Sequence, residues 1–268
     1  MMRALLFLLL AACQFEHGSL STGDGGGGGG DGNDAMRDSG PPCDVHDFDG
    51  DGLGDSCDLC PHIASANIDQ DDDGVGDECD ERPLSPGEHR ALWMAFYDPS
   101  EIAGWTEPQN SVGVWNVSNN LLHETMNGFS VLDSPLTYTT DAYFYTSIQI
   151  TQPNTNEVGF CLSDVQPSVQ YYCCAASNAA GPSVRAASQY NGSPGQISSP
   201  TGFAGNLGVG QHIEMKGTLI GSQFRCRFTQ GTAVSNAMTA AVGRAGPACF
   251  YTTTPVDYRY VFLVTIGS

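Results

Sequence analysis

Basic residues are scarce: the 268-residue chain carries ten Lys and Arg against thirty Asp and Glu, a formal net charge of -20. A polyanion of this kind repels nucleic acid and anionic lipid head groups, so neither is expected as a partner. Between Asp38 and Glu81 there is no Lys or Arg at all. Long apolar runs are missing too. The amino-terminal run Ala4–Ala12 is nine residues, against the roughly 20 that a bilayer-crossing helix needs. No long stretch has helical amphipathic periodicity, which argues against an α-helical fold. Several catalytic signatures are absent: no Gly-x-Ser-x-Gly, no His-Glu-x-x-His and no phosphate-binding loop. The six histidines are scattered and read as surface residues.

What is present begins with MMRALLFLLLAAC, where Arg3 precedes the short apolar run, the layout of a secretory signal. Leu10-Ala11-Ala12-Cys13 resembles the lipobox of bacterial lipoproteins. That resemblance implies removal of residues 1–12 and lipidation of Cys13. With Gln14 in place of Asp, it implies an outer-membrane lipoprotein facing the periplasm or the cell surface. Each buried acyl methylene contributes about 0.8 kcal/mol, so several chains on one cysteine anchor stably, and the membrane becomes a partner through that anchor only. Residues 13–42, with the run Gly25–Gly30, cannot bury a core and read as a flexible tether. Nine cysteines remain beyond Cys13, and a secreted chain carries them into an oxidising compartment where disulfides are the default.

Residues 43–81 contain an internal repeat. In Asp47–Asp58, aspartates Asp47, Asp49 and Asp51 fall at positions one, three and five, Gly52 at six, Leu53 at seven, Asp55 at nine and Asp58 at twelve. Asp69–Asp80 repeats the register with Asp69, Asp71, Asp73, Gly74, Val75, Asp77 and Asp80. This is the ligand spacing of a calcium loop. Ca2+ takes six to eight hard oxygens, alternate side chains of a curled loop converge on one point, glycine at six allows the turn, and the carbonyl at seven adds an oxygen. No helical pattern flanks either loop, which disfavours an EF-hand. An acidic linker would need neither the glycines nor the cysteines. Zinc at Cys57-x-x-Cys60 is disfavoured by the oxidising compartment and the oxygen-rich set.

The segment resembles thrombospondin type 3 repeats in Asp47–Asp58, then Cys60-Pro61, then Asn67-Ile68-Asp69-Gln70. The resemblance implies a calcium-wrapped string without an apolar core, with the carboxylates above as ligands and Asn67 as a candidate for a further site. It also implies the disulfides Cys43–Cys57 and Cys60–Cys79. The second repeat is about three residues shorter than the family form, so one ion or two stays open there. A segment this small and polar depends on staples and metal for its stability, so folding and binding are expected to be coupled.

Residues 82–90 read as a joint and residues 91–268 as a mainly β unit, a two-sheet jelly-roll sandwich. Tyr143–Ile150 alternates, with Phe144, Ile148 and Ile150 on one face and Tyr143, Tyr145, Ser147 and Gln149 on the other. Residues 157–164, 169–176, 212–216, 222–229 and 258–266 also read as strands. Trp93, Phe96-Tyr97-Asp98, Trp105 and Gly113-Val114-Trp115-Asn116-Val117 resemble the opening of concanavalin-A-like, laminin-G-like domains. Related sandwiches include glycoside hydrolases, whose acids alternate as Glu-x-Asp-x-x-Glu on one strand. No such cluster occurs here, and Glu157, Asp164, Glu214 and Asp257 are dispersed. The three tryptophans read as core. Tyr143 and Tyr145 are candidate sugar-stacking residues, with an amphipathic outer face as the plainer reading. Cys161 is expected to pair with Cys173 or Cys174, and Cys226 with Cys249, leaving one thiol of five.

These readings combine into a lipid-anchored envelope protein with a calcium-stiffened stalk and a sandwich head for adhesion to a glycan or surface protein. The alternatives are an envelope carbohydrate hydrolase or a purely structural surface protein.

Overall fold

The computed structural model describes residues 43–138, 141–153, 155, 157–164, 170–177, 183–190, 193–197, 201–202, 208–228, 238–239 and 246–267. The signal, Cys13 and the tether lie outside the described residues, as do Val169 and Thr229 at the ends of two expected strands. No helix among the described residues is long and apolar enough to cross a membrane.

Two antiparallel sheets face each other. The first joins β1 (Glu88–Met94), β2 (Trp115–Ser118), β3 (Leu121–Glu124), β5 (Asp141–Ile150), β11 (His212–Ile220), β12 (Gln223–Phe228), β13 (Met238–Thr239) and β15 (Val256–Ile266). Its order is β13-β12-β11-β5-β15-β3-β2, with β1 also on β15. The second joins β4 (Ser130–Tyr138), β6 (Val158–Asp164), β7 (Gln170–Ser177), β8 (Ser183–Tyr190), β9 (Ser193–Ile197), β10 (Thr201–Gly202) and β14 (Gly246–Thr252). Its order is β10-β8-β7-β6-β14-β4, with β9 also on β8. The strands expected from sequence reappear within a few residues. Residues 82–90 are not only a joint, because β1 starts at Glu88 and lies against Ile266 at the end of β15.

Period-two alternation sends one row of each strand into the space between the sheets. Phe144, Phe160, Phe250 and Tyr258 meet there edge to face or tilted, with centroids 4.7–5.0 Å apart along the chain of contacts. Trp105 stacks on Phe250 and Trp115 leans on Tyr258, so both close the core's edge. The Phe144 ring lies where a Cβ on Gly217 would stand, 2.2 Å from its Cζ, so position 217 admits only glycine at this packing. The Tyr258 hydroxyl donates to the carbonyl of Tyr251 at 2.7 Å and also lies 3.0 Å from that of Gly159, tying the first sheet to the second through an otherwise apolar layer.

The cysteines of the sandwich depart from expectation in one respect. Cys161 bonds Cys173 on the neighbouring strand. Cys226 bonds Cys174, not Cys249. The reason is facing. Cys174 and Cys226 both belong to the core between the sheets, whereas Cys249 lies with Cys161, Tyr171, Cys173 and Tyr251 on the far side of the second sheet. Cys249 is the free, buried thiol. Burial, with Asp133 beside it, pushes that thiol well above the usual range.

Alkylation before and after denaturation, without reductant, is therefore expected to label no cysteine from Cys43 to Cys249 in the native protein and Cys249 alone after unfolding. Labelling of Cys174 would overturn the inter-sheet pairing.

Candidate metal centre

The two loops of residues 43–81 are built alike, position by position. Asp47 accepts from the Gly50 amide at 2.7 Å and the Gly52 amide at 3.0 Å; Asp69 accepts from Asp72 at 2.7 Å and Gly74 at 2.9 Å. Asp51 accepts from Leu53 at 2.9 Å and Asp73 from Val75 at 3.1 Å. Gly52 and Gly74 turn through φ 98° and 89°, in the left-handed region that side chains avoid. Two positions later, a Cβ on Gly54 would meet the Asp44 carbonyl at 2.2 Å and one on Gly76 the Cys60 sulfur at 2.7 Å. The glycine at position eight of each loop is thus a packing requirement. Cys43 is bonded to Cys57 and Cys60 to Cys79, so each loop is closed by its own bridge.

The aspartates at one, three and five converge in each loop: one oxygen from each of Asp47, Asp49 and Asp51 lies within 4.8 Å of the others, and the same holds for Asp69, Asp71 and Asp73. Several carboxylate oxygens of the two loops are shut off from solvent and make no hydrogen bond among the described residues: Asp49 Oδ2 and both oxygens of Asp71 at position three, and Asp80 Oδ2 at position twelve. Buried acceptors without donors are costly, and anionic ones more so. Burial, with Asp51, Asp47 and Asp55 nearby, raises the Asp49 carboxyl; burial, with Asp49, Asp51 and Asp55, pushes Asp58 up to about 6. The shared remedy is a hard cation between the carboxylates, so these donor sets fit one.

The remaining expected ligands are placed differently. At position nine, Asp55 and Asp77 accept from backbone amides, Phe48 at 2.8 Å and Gln70 at 3.0 Å, consistent with a role through water. Asn67 points its amide at the first loop: Oδ1 accepts from Leu59 at 2.7 Å and Nδ2 donates to the Cys57 carbonyl at 3.3 Å. That amide braces the two loops together. Leu53 is half-buried and Val75 is buried against the sandwich.

The segment is not a projecting stalk. It lies on the outer face of the first sheet, where Val75, Cys60 and Cys79, with Phe48, Ile63 and His62, pack on Trp93, Tyr143, Tyr145, Tyr260 and Phe262. Apolar burial drives this docking. Tyr143 and Tyr145 are consequently covered, 0% and 5% exposed, and present no face to a sugar. Their polar ends serve the dock: the Tyr143 hydroxyl donates to Glu88, and Tyr145 accepts from Lys216 Nζ at 2.6 Å. Lys216 lies over both rings and pairs with Glu81.

Polar groups of the sandwich also hold the loop aspartates directly. Asp55 Oδ2 accepts from Trp93 Nε1 at 3.0 Å and from the Tyr97 hydroxyl at 2.8 Å. Asp73 Oδ2 accepts from the amides of Gly87 at 3.1 Å and Glu88 at 2.7 Å. Arg90 donates to the Asp58 carbonyl at 2.6 Å. Each loop therefore shares an aspartate with the sandwich.

The dock's least expected member is His62. Its ring nitrogens have no solvent contact and no partner among the described residues, and burial, with Lys216 nearby, lowers its pKa to about 3. It is neutral at ordinary pH, not a surface histidine. No periodicity marks it, since the loop between the two repeats has none.

Among the described residues, the carboxylates on each outer face stand apart. On the second sheet, Asp133 is level with Cys249 on one side of β14 and the Glu157 backbone bonds Thr253 on the other, four residues along, which puts their backbones about 16 Å apart. On the first, Asp257 is level with Gln149, and Glu214 with Ser147 one strand further, about 12 Å away. These are backbone separations, wider than the roughly 5–9.5 Å between paired glycosidase carboxyls, whereas Glu124 and Asp257 line one cavity together.

No family model matches the chain, and none of the curated proteins does. Solved structures share the sandwich. A GlcNAcα1-4Gal-releasing endo-β-galactosidase from Clostridium perfringens matches at TM-score 0.51 and 8% identity, over 67% of this chain and 62% of that one. A protein with a galectin-like fold from Bacillus subtilis matches at 0.50 and 10%, over 66% and 96%. SCLam, a non-specific endo-β-1,3(4)-glucanase of family GH16, matches at 0.50 and 7%, over 68% and 92%. At these identities the likeness establishes a jelly-roll fold.

The dock is expected to weaken with acid through His62. Its pKa is depressed when docked, so the released or unfolded state binds the proton more readily, and stability falls as pH drops from about 6.5 toward 3. Between pH 7 and pH 5 the loss is about 1–2 kcal/mol. Thermal melts of wild type and His62→Phe at both pH values check this; an equal pH dependence in the two proteins removes His62 as the cause.

Proposed function

We propose that the protein is a calcium-stabilised carbohydrate-binding protein of the cell envelope, anchored through Cys13. The observation that carries the calcium part is the set of solvent-excluded carboxylate oxygens without donors at Asp49, Asp71 and Asp80, in loops with calcium-ligand spacing. The residues that would hold the ions are Asp47, Asp49, Asp51, Leu53 through its carbonyl, and Asp58 in one loop. In the other they are Asp69, Asp71, Asp73, Val75 through its carbonyl, and Asp80. Bound calcium neutralises the crowded carboxylates and so favours the closed loops. Because Asp55 and Asp73 also take hydrogen bonds from Trp93, Tyr97, Gly87 and Glu88, closing the loops and seating them on the sheet support each other.

The carbohydrate part is supported by the fold, which is that of a galactosidase and a glucanase acting on glycans. Binding is preferred to hydrolysis because no strand carries the alternating Glu-x-Asp-x-x-Glu cluster of the related hydrolases. Disulfides in both parts of the chain support an extracellular or envelope setting.

Calorimetric calcium titration of the secreted protein is expected to show two or more ions at dissociation constants on the order of 0.1–1 mM. Chelation is expected to change the fluorescence of Trp93, whose indole donates to Asp55. The double variant Asp51→Ala, Asp73→Ala should lose both responses, and unchanged stoichiometry would refute the ligand assignment. Separately, Cys13→Ser should release the protein from membranes on fractionation; unaltered membrane association would sink the anchor.

A further inference from the structure

The outer face of the first sheet has two halves, and the docked loops cover only one. On the other half a single register line crosses five strands. Asn116 on β2 faces His123 on β3, His123 faces Asp257 on β15, Asp257 faces Gln149 on β5, and Gln149 faces His212 on β11. The chain neighbours of each point into the core: Val117, Leu122, Val256, Tyr258, Ile148, Ile150 and Ile213. All five therefore project outward. None is apolar, and together they offer two carboxamides, two imidazoles and one carboxylate. Four inter-strand steps of about 4.8 Å make the line roughly 19 Å long.

Its interior is fixed. His123 Nδ1 meets Asp257 Oδ1 at 2.6 Å and Nε2 meets the Ser118 carbonyl at 3.0 Å, which orients the carboxylate. The side chains of Asn116, Gln149 and His212 make no hydrogen bond among the described residues, so their capacity faces outward. At the β2–β3 end a cavity of about 370 Å³ opens between Asn116, His123, Glu124, Asp257, Thr151 and Gln152, so a second carboxylate, Glu124, lines it beside Asp257. Beyond His212, one outward position along β11, Glu214 lines a second cavity of about 210 Å³ with Tyr260 and His62. Arg259 follows Asp257 by two residues and lies 5.4 Å over the Phe48 ring, so the line runs along the rim of the docked loops.

We propose that this line is a carbohydrate-contact strip on which a neutral oligosaccharide lies across the strands. The inference rests on the carbohydrate-binding reading and assigns it a place. The chemistry favours that ligand. The strip mixes donors with acceptors, as an array of hydroxyls requires. Its one carboxylate is held by an imidazole, and the strip belongs to a chain of net charge -20, which repels anionic ligands. Its length suits several sugar rings in a row, not a single ring. The rim position adds calcium dependence, because releasing the loops removes the wall formed by Phe48 and His62.

The test uses the full secreted protein with calcium present and a panel of neutral tetrasaccharides of glucose, galactose, xylose and N-acetylglucosamine, read by calorimetry. The triple variant Asn116→Ala, Gln149→Ala, His212→Ala changes exposed side chains and should melt as the wild type does. Its affinity is expected to fall by about tenfold or more, since three hydrogen-bonding contacts are lost. If the variant binds a panel member as tightly as the wild type, the strip is overturned and the carbohydrate-binding reading stands. If the wild type binds no member, both are overturned.

Discussion

The two loops of residues 43–81 depend on holding like charges together. Asp47, Asp49 and Asp51 bring their oxygens within a few ångströms, as do Asp69, Asp71 and Asp73. Water would pull such groups apart, and the local chain supplies no basic residue to oppose it. Two covalent bridges and a mesh of backbone amides meet part of the cost. The donorless oxygens at Asp49, Asp71 and Asp80 mark where the mesh stops. From this constraint follow the glycines at two fixed positions, the bridges that close each loop, and the loops' reliance on the sheet beneath them.

The sheet is shaped for that role. A solvent-facing sheet surface normally carries polar side chains at alternate positions, yet Trp93, Tyr143, Tyr145, Tyr260 and Phe262 form an aromatic field on the outer side of this one. They are not a second core of the sandwich. They are the half of an interface whose other half is a polar string with a few apolar points, Phe48, Ile63 and Val75. The arrangement gives a segment too small for its own core a share in a neighbour's.

Local features were legible in the sequence and long-range ones were not. The two curled, bridged loops announced themselves because their spacing of aspartate, glycine and cysteine is a property of a short consecutive stretch. The alternation of Tyr143–Ile150 told which side chains share a face, and Phe144, Ile148 and Ile150 do enter the core. It could not tell what lies over the opposite face, so Tyr143 and Tyr145 read as exposed when they are covered. The partner of Cys226 was lost for the same reason: whether Cys174 or Cys249 shares its side of a sheet depends on a pairing between strands distant in the chain. The register line from Asn116 to His212 is equally non-local, since its five members come from five strands and share no motif.

The chain has one lysine, and it is Lys216, 2% exposed beneath the docked loops and paired with Glu81. Every side-chain amine the protein possesses is thus hidden by the segment whose closure depends on its aspartates. A lysine-specific protease or an acylating reagent meets no target on the sandwich while the loops are seated, and meets one when they lift. The molecule carries a chemical record of its own docking at a single atom, Lys216 Nζ.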